Sequence, residues 1–116
     1  MFSPRQSVLA IVALSISVVS AFTGPATFYD PNGLIGACGN PLQNSDLIVA
    51  LSISQYAGGA HCGTQISVSY AGNSVSATVA DECPTCAGDG IDLSPAAFQQ
   101  LASLDAGEIQ VTWDFE

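Results

Sequence analysis

The sequence predicts a mainly β domain in which five or six short strands and one short helix close into a barrel. Three observations carry this. Apolar and polar residues alternate over much of the second half of the chain, Gly, Asn and Pro interrupt the apolar runs every few residues, and only one stretch opens with a helix signal. Closure follows from size, because a small open sheet would leave two edges free to pair with other chains. With 116 residues the chain holds one domain.

Residues 1–21 read as a secretory signal: Arg5 is the positive n-region, Val8 to Val19 the apolar stretch, and Val19-Ser20-Ala21 the small residues for cleavage. A dozen or so apolar residues fall short of the roughly 20 that span a bilayer, so the expected mature domain, residues 22–116, is exported and free of the membrane. Ala26-Thr27-Phe28-Tyr29 reads as the first strand, followed by a turn at Asp30-Pro31-Asn32-Gly33. Leu47 to Ser52 is a second apolar run. Ile66, Val68 and Tyr70 alternate with Ser67 and Ser69; Gly72-Asn73 then turns the chain into Val75, Ala77 and Val79, which alternate with Ser74, Ser76 and Thr78. Asp81 keeps the parity of Val79 and is expected on the interior face, unless the strand ends at Ala80 and the carboxylate serves the turn that follows. Ser94 is the expected helix N-cap, with Pro95 at the first helical position, Leu93 stapled to Phe98 and an end near Gly107. Ile109, Val111, Trp113 and Phe115 form the apolar face of the last strand.

The formal net charge is −9, and Arg5 is the single Lys or Arg. Without the signal the domain carries no cationic side chain of either kind, which excludes nucleic acid and other phosphate-rich partners. Cys38, Cys62, Cys83 and Cys86 all lie in the mature part, and in an oxidising compartment four cysteines favour two disulfides, with three pairings open. A zinc site would need a second close pair beside Cys83-x-x-Cys86, so no metal and no cofactor are expected.

Ala26-Thr27-Phe28-Tyr29, Gly36-Ala37-Cys38-Gly39, Cys62-Gly63 with Ile66 and Val68, Val79-Ala80-Asp81-Glu82-Cys83 and Ile91-Asp92-Leu93-Ser94 occur in that order. Together they resemble the six-stranded double-psi β-barrel shared by the first domain of expansins, the fungal loosenins, barwin-like proteins and the rare lipoprotein A group. The resemblance implies the disulfides Cys38–Cys62 and Cys83–Cys86, for which loop-closure entropy supplies roughly 3.5 and about 2 kcal/mol. It also places Asp92 at the family's acid position, Asp81 at a second carboxylate on the same groove, and Thr27 and Tyr29 at the polar and aromatic pair that lines it. Two departures stand out. Leu34 and Ile35 occupy positions where many expansins carry an acidic residue, and Pro31 stands where related endoglucanases carry the catalytic base. Asp30 is adjacent, but a shift of one residue on a strand turns a side chain to the opposite face.

A helix N-terminus two residues after Asp92 would keep its pKa low unless burial outweighs it. Tyr56, in a Gly-rich loop, is the expected exposed aromatic for stacking on a ligand. His61 reads as a loop histidine, Trp113 and Phe115 as core, and Glu82, Asp89 and Asp105 as solvated charges.

These features predict a secreted, monomeric, non-hydrolytic protein that binds and loosens cell-wall polysaccharide. A protease inhibitor or barwin-like defence module is the alternative, and a lytic transglycosylase or endoglucanase the third reading. Because the mature chain is anionic, neutral glucan or chitin is the expected polymer. Binding to pectate, measured by pull-down, should be weak and should weaken further at low salt, where repulsion is least screened.

Overall fold

The computed structural model describes residues 21–116; the signal expected over residues 1–21 lies, apart from Ala21, outside the described residues. Six strands form a closed ring: β1 (Phe22–Phe28), β2 (Ile48–Ser52), β3 (Gln65–Tyr70), β4 (Asn73–Cys83), β5 (Ile91–Leu93) and β6 (Ile109–Phe115). Around the ring the order is β1, β5, β2, β4, β3, β6, with β6 returning to β1. The pairs β1/β5 and β2/β4 are parallel and the rest antiparallel.

β1 begins at Phe22, earlier than the expected 26–29, and ends before Tyr29. Its first five residues pair with β6, and Ala26, Thr27 and Phe28 pair with β5. Gly24-Pro25 hides this strand from a sequence reading, since the dipeptide looks like a turn. The glycine is needed for close approach: a Cβ there would sit 2.7 Å from the backbone of Asp89. That same loop is tied down by Trp113, whose Nε1–H donates to the Asp89 carbonyl at 2.8 Å.

The hairpin between β3 and β4 turns at Ala71-Gly72, one residue before the expected Gly72-Asn73. Both turn residues have positive φ, +49° and +86°, the backbone of a type I′ turn, and Asn73 pairs with Tyr70 as the first residue of β4. β4 then serves two neighbours, β3 over its first half and β2 over its second. Where they meet β2, Val49 pairs with Val79 but Ala50 pairs with Asp81, so Ala80 is an extra residue. The bulge reverses the alternation. Asp81 therefore does not continue the interior face set by Val75, Ala77 and Val79; it points to the outside of the barrel. The strand also does not end at Ala80, but runs on to Cys83.

Inside the ring, Val49, Leu51, Ile66, Val68, Val79, Ile91, Leu93, Val111 and Trp113 form one core, closed at one end by Phe98. The helix α2 (Pro95–Gln99) starts as expected, with Ser94 Oγ accepting the Ala97 N–H and Pro95 in the first turn. It stops at Gln99, well before Gly107. Gly107 instead ends a separate 3₁₀ turn over Leu104–Ala106, headed by Ser103, whose hydroxyl accepts the Asp105 N–H. A one-turn helix unannounced by the sequence, α1 (Ile53–Tyr56), follows β2 directly. The disulfides are Cys38–Cys62 and Cys83–Cys86.

Ala71 is the non-glycine partner in a turn that asks for positive φ at both positions. Ala71→Asn, a residue that enters this region more readily, should stabilise the fold by about 1 kcal/mol and raise the thermal midpoint by several degrees. Thermal unfolding followed by circular dichroism checks it; an unchanged or lower midpoint counts against the turn assignment.

Candidate functional site

The ladders place Thr27 beside Asp92, Asp92 beside Ala50, and Ala50 beside Asp81. These residues form one row across four adjacent strands, β1, β5, β2 and β4. Their chain neighbours Ala26, Ile91, Leu93, Val49 and Leu51 are in the core, so the row faces outward. Ala50, 2 % exposed, is the floor between two carboxylates. Because Asp92 and Asp81 are two strands apart, their backbones are separated by roughly 9–10 Å.

Thr27 Oγ1–H donates to Asp92 Oδ1 at 3.0 Å. Tyr29, just beyond β1, anchors its backbone N–H on the Leu93 carbonyl and leans its ring on Leu42, Ile48 and Ala80. From there its hydroxyl donates to Asp81 Oδ2 at 2.9 Å. Asp81 Oδ1 accepts the N–H of Ala37 at 2.8 Å and of Glu82 at 2.9 Å. The loop carrying Ala37 reaches Asp81 because Gly36 has no side chain: a Cβ there would lie 2.6 Å from the Ala80 carbonyl oxygen. The bulged Ala80 thus turns Asp81 out and receives the loop that holds it.

The two carboxylates have different surroundings. Burial raises the Asp92 carboxyl above the usual aspartate range; the Thr27 hydrogen bond opposes this and the charge of Asp81 adds to it. Burial therefore outweighs the short helix that follows. Asp92 is the group suited to hold or give a proton. Asp81 takes three hydrogen bonds, one from Tyr29 and two from backbone N–H groups. The Tyr29 phenol is pushed far above its ordinary value, by burial first and then by Asp81 and Asp92, and stays a donor.

Beside Asp92 the surface opens into a cleft of about 320 Å³, lined by Pro25, Thr27, Thr85, Glu108 and the Cys83–Cys86 disulfide among others. Among the described residues, Asp92 carries into this cleft the carboxylate close to both sulfurs. The Cys83 and Cys86 Sγ atoms and an Asp92 oxygen lie within 4.8 Å of one another, but the sulfurs are committed to their disulfide and leave a single carboxylate as a metal ligand.

Of the residues singled out from the sequence, Thr27, Tyr29, Asp81 and Asp92 come together. Tyr56 does not. It is 8 % exposed, part of the core, with its hydroxyl 3.6 Å from Cys62 Sγ, because α1 folds the ring inward. His61 lies over Phe115, ring centroids 4.3 Å apart. Asp30 is exposed at the turn beside a buried Pro31, so the base position of related endoglucanases is empty of any carboxylate. Ala50, Thr85 and Glu108 were not foreseen; an alanine in an apolar run and two isolated loop residues carry no sequence signal.

The family model described as lytic transglycolase matches residues 21–113. The chain belongs to this double-psi β-barrel family. Among its relatives, the papain inhibitor of Streptomyces mobaraensis is 37 % identical over 108 residues, 86 % of this chain and 75 % of that protein. An EG45-like domain containing protein of Citrus jambhiri is 32 % identical and aligns over 92 % of this chain and 94 % of its own length. Among solved structures, an aspartate-to-asparagine mutant of the Clavibacter michiganensis expansin in complex with cellohexaose superposes with a TM-score of 0.77 at 29 % identity. The match covers 84 % of this chain and 50 % of the expansin, so this barrel spans about half of that protein. The family assignment and the six-stranded ring agree. No helix among the described residues is long and apolar enough to cross a membrane.

The raised Asp92 pKa has a stability consequence whose sign is fixed. In the fold the ionised form is the costly one, so the penalty is absent below the ordinary aspartate pKa and fully present once pH exceeds the raised value. Asp92→Asn removes it. The variant should melt at or above the wild-type temperature at neutral pH, and the difference should close below about pH 3.5. A variant that melts clearly lower at neutral pH would make the ionised carboxylate a structural anchor.

Proposed function

We propose that the protein is a secreted, non-hydrolytic polysaccharide-binding module that loosens cell-wall polymers, gripping neutral glucan or chitin along the row Thr27, Asp92, Ala50 and Asp81 with Tyr29. The observation that carries this is the outward carboxylate row. A flat chain of hydroxyls laid across four strands would meet Asp92 and Thr27 at one end, the small Ala50 in the middle, and Tyr29 with Asp81 at the other. Carboxylates accept sugar hydroxyl donors well, and competition of this kind for inter-chain hydrogen bonds is what separates polymer strands without cutting them. The cellohexaose complex of the expansin relative supports the same ligand class.

Hydrolysis by inversion needs a base that activates water opposite the acid. Here Pro31 fills one place for it, and Asp81 already accepts from Tyr29, Ala37 and Glu82, which leaves a lone pair on Oδ2 for a sugar hydroxyl. Asp92 can protonate; the other carboxylate lining its cleft is the exposed Glu108, on the loop before β6. Export to the cell exterior rests on the signal-like residues 1–21 and two disulfides.

A second reading, inhibition of a cysteine protease, is supported by the papain inhibitor relative, of which this chain covers 75 %. Exposed loops would then make the contacts: residues 57–60 or 84–88, or the rigid turn that displays Leu34 and Ile35, which are 71 % and 65 % exposed.

The readings separate cleanly by experiment. The first expects swelling or creep of wall material without reducing-end release, lost in Asp92→Asn while the fold persists. Reducing ends that accumulate with wild type and vanish with Asp92→Asn would make the protein a hydrolase or lytic enzyme. Papain inhibition that survives Asp92→Asn, with no binding to insoluble polymer, would establish the inhibitor.

A further inference from the structure

The Cys83–Cys86 disulfide has no part in the reading above, yet it lines the cleft beside Asp92, with an Asp92 oxygen within 4.8 Å of its sulfurs. We propose that Cys83–Cys86 is a thiol–disulfide exchange centre: a small neutral or cationic thiol entering the cleft attacks Cys86 Sγ, and the Asp92 carboxyl protonates the departing Cys83 sulfur.

Both cysteines line the cleft, but as residues they differ in exposure: Cys83 is 6 % exposed at the end of β4, whereas Cys86 is half-buried in the turn that faces the cleft. Exchange proceeds in line with the S–S bond, so attack falls on the sulfur of the more exposed residue and the other leaves. A thiolate leaving into a buried site needs a hydrogen-bond donor or a proton. Thr85 Oγ1 is 3.7 Å from Cys83 Sγ, and Asp92 is the carboxyl group close to it. The raised Asp92 pKa suits that task.

In the first step the incoming thiolate forms a bond to Cys86 Sγ, the Cys86–Cys83 bond breaks, and its electron pair goes to Cys83 Sγ, which takes the Asp92 proton. In the second, another thiolate attacks the small-molecule sulfur of the mixed disulfide and releases Cys86 as a thiolate. Two thiols are oxidised to one disulfide, and the protein disulfide is reduced to two thiols.

The backbone holds both cysteines through this cycle. Cys83 stays paired with Ser52 across β2 and β4, and the Cys86 N–H donates to the Cys83 carbonyl at 3.1 Å. Opening is local and reclosure needs no refolding. Cys38–Cys62, by contrast, joins segments 24 residues apart and has no comparable carboxylate among the described residues. The thiol class follows from charge: Glu108 lines the cleft, the domain is acidic, and no Lys or Arg lies among the described residues. An anionic thiol is repelled.

The test treats the intact folded protein with cysteamine or with mercaptopropionate, quenches by alkylation and maps the products by mass spectrometry. Expected are a cysteamine adduct on Cys86, alkylation of Cys83, and survival of Cys38–Cys62 for at least about tenfold longer. Cysteamine, compared per thiolate, should outpace mercaptopropionate at low salt, with the gap narrowing as salt rises. Asp92→Asn should slow opening about tenfold or more at pH below the raised Asp92 pKa, with the wild-type to variant ratio falling toward one as pH rises through it. The groups that face Asp92 and set this profile are Thr27, Tyr29, Asp81 and Glu108. Thr27→Val, which deletes the hydrogen bond that favours the ionised carboxylate, should speed opening, and it decides the matter should Asp92→Asn fail a circular-dichroism check. Simultaneous opening of both disulfides, an adduct on Cys83, or rates indifferent to Asp92→Asn and Thr27→Val would each overturn the proposal. None of these outcomes bears on polysaccharide binding.

Discussion

Closing six strands into a ring leaves each strand side chain two destinations, a narrow interior or the outside. The interior takes branched aliphatic residues and Trp113 and fills with them. Polar residues in the middle of a strand must then face out, in rows set by the ladders. On the run β1, β5, β2, β4 that constraint lines up Thr27, Asp92, Ala50 and Asp81, although no two of them are close in the chain. The row is a by-product of pairing register, and the loop that brings the Ala37 N–H to Asp81 completes it.

The row would be incomplete without one irregularity. Had β4 kept its alternation, Asp81 would be driven into an apolar interior where an ionised carboxylate is untenable. The extra Ala80 turns it out, and the resulting gap in the wall accepts Gly36 and the loop that delivers the Ala37 N–H. A bulge beside a functional group is a common way to re-aim a side chain. Here it also leaves the two carboxylates in different surroundings: Asp81 takes three hydrogen bonds, one of them from Tyr29, while Asp92 has Thr27 as its donor and is raised by burial.

The two disulfides act on different scales. Cys38–Cys62 ties the loop that braces Asp81 to the loop before β3, a constraint on the whole fold. Cys83–Cys86 closes only the turn that ends β4, adjacent to Asp92. Of the two, it is the smaller contributor to chain order, and it stands beside the carboxylate.

The sequence alone settled what depends on local pattern. The alternation of β3, β4 and β6, the Ser94-Pro95 helix start, the acidic balance and, through the family resemblance, both disulfides could all be read from the sequence, and the same resemblance singled out Thr27, Tyr29, Asp81 and Asp92, which the fold brings together. Tertiary structure decided the features that depend on a neighbour. β1 extends back through Gly24-Pro25 because β6 is there to pair with it and the Asp89 loop presses on the glycine. Tyr56 is buried because one helical turn after β2 swings it over the core, and Asp81 faces out because β2 and β4 slip by one residue. A bulge, a close approach and a buried ring are relations between segments far apart in the chain, and periodicity within one segment carries no record of them.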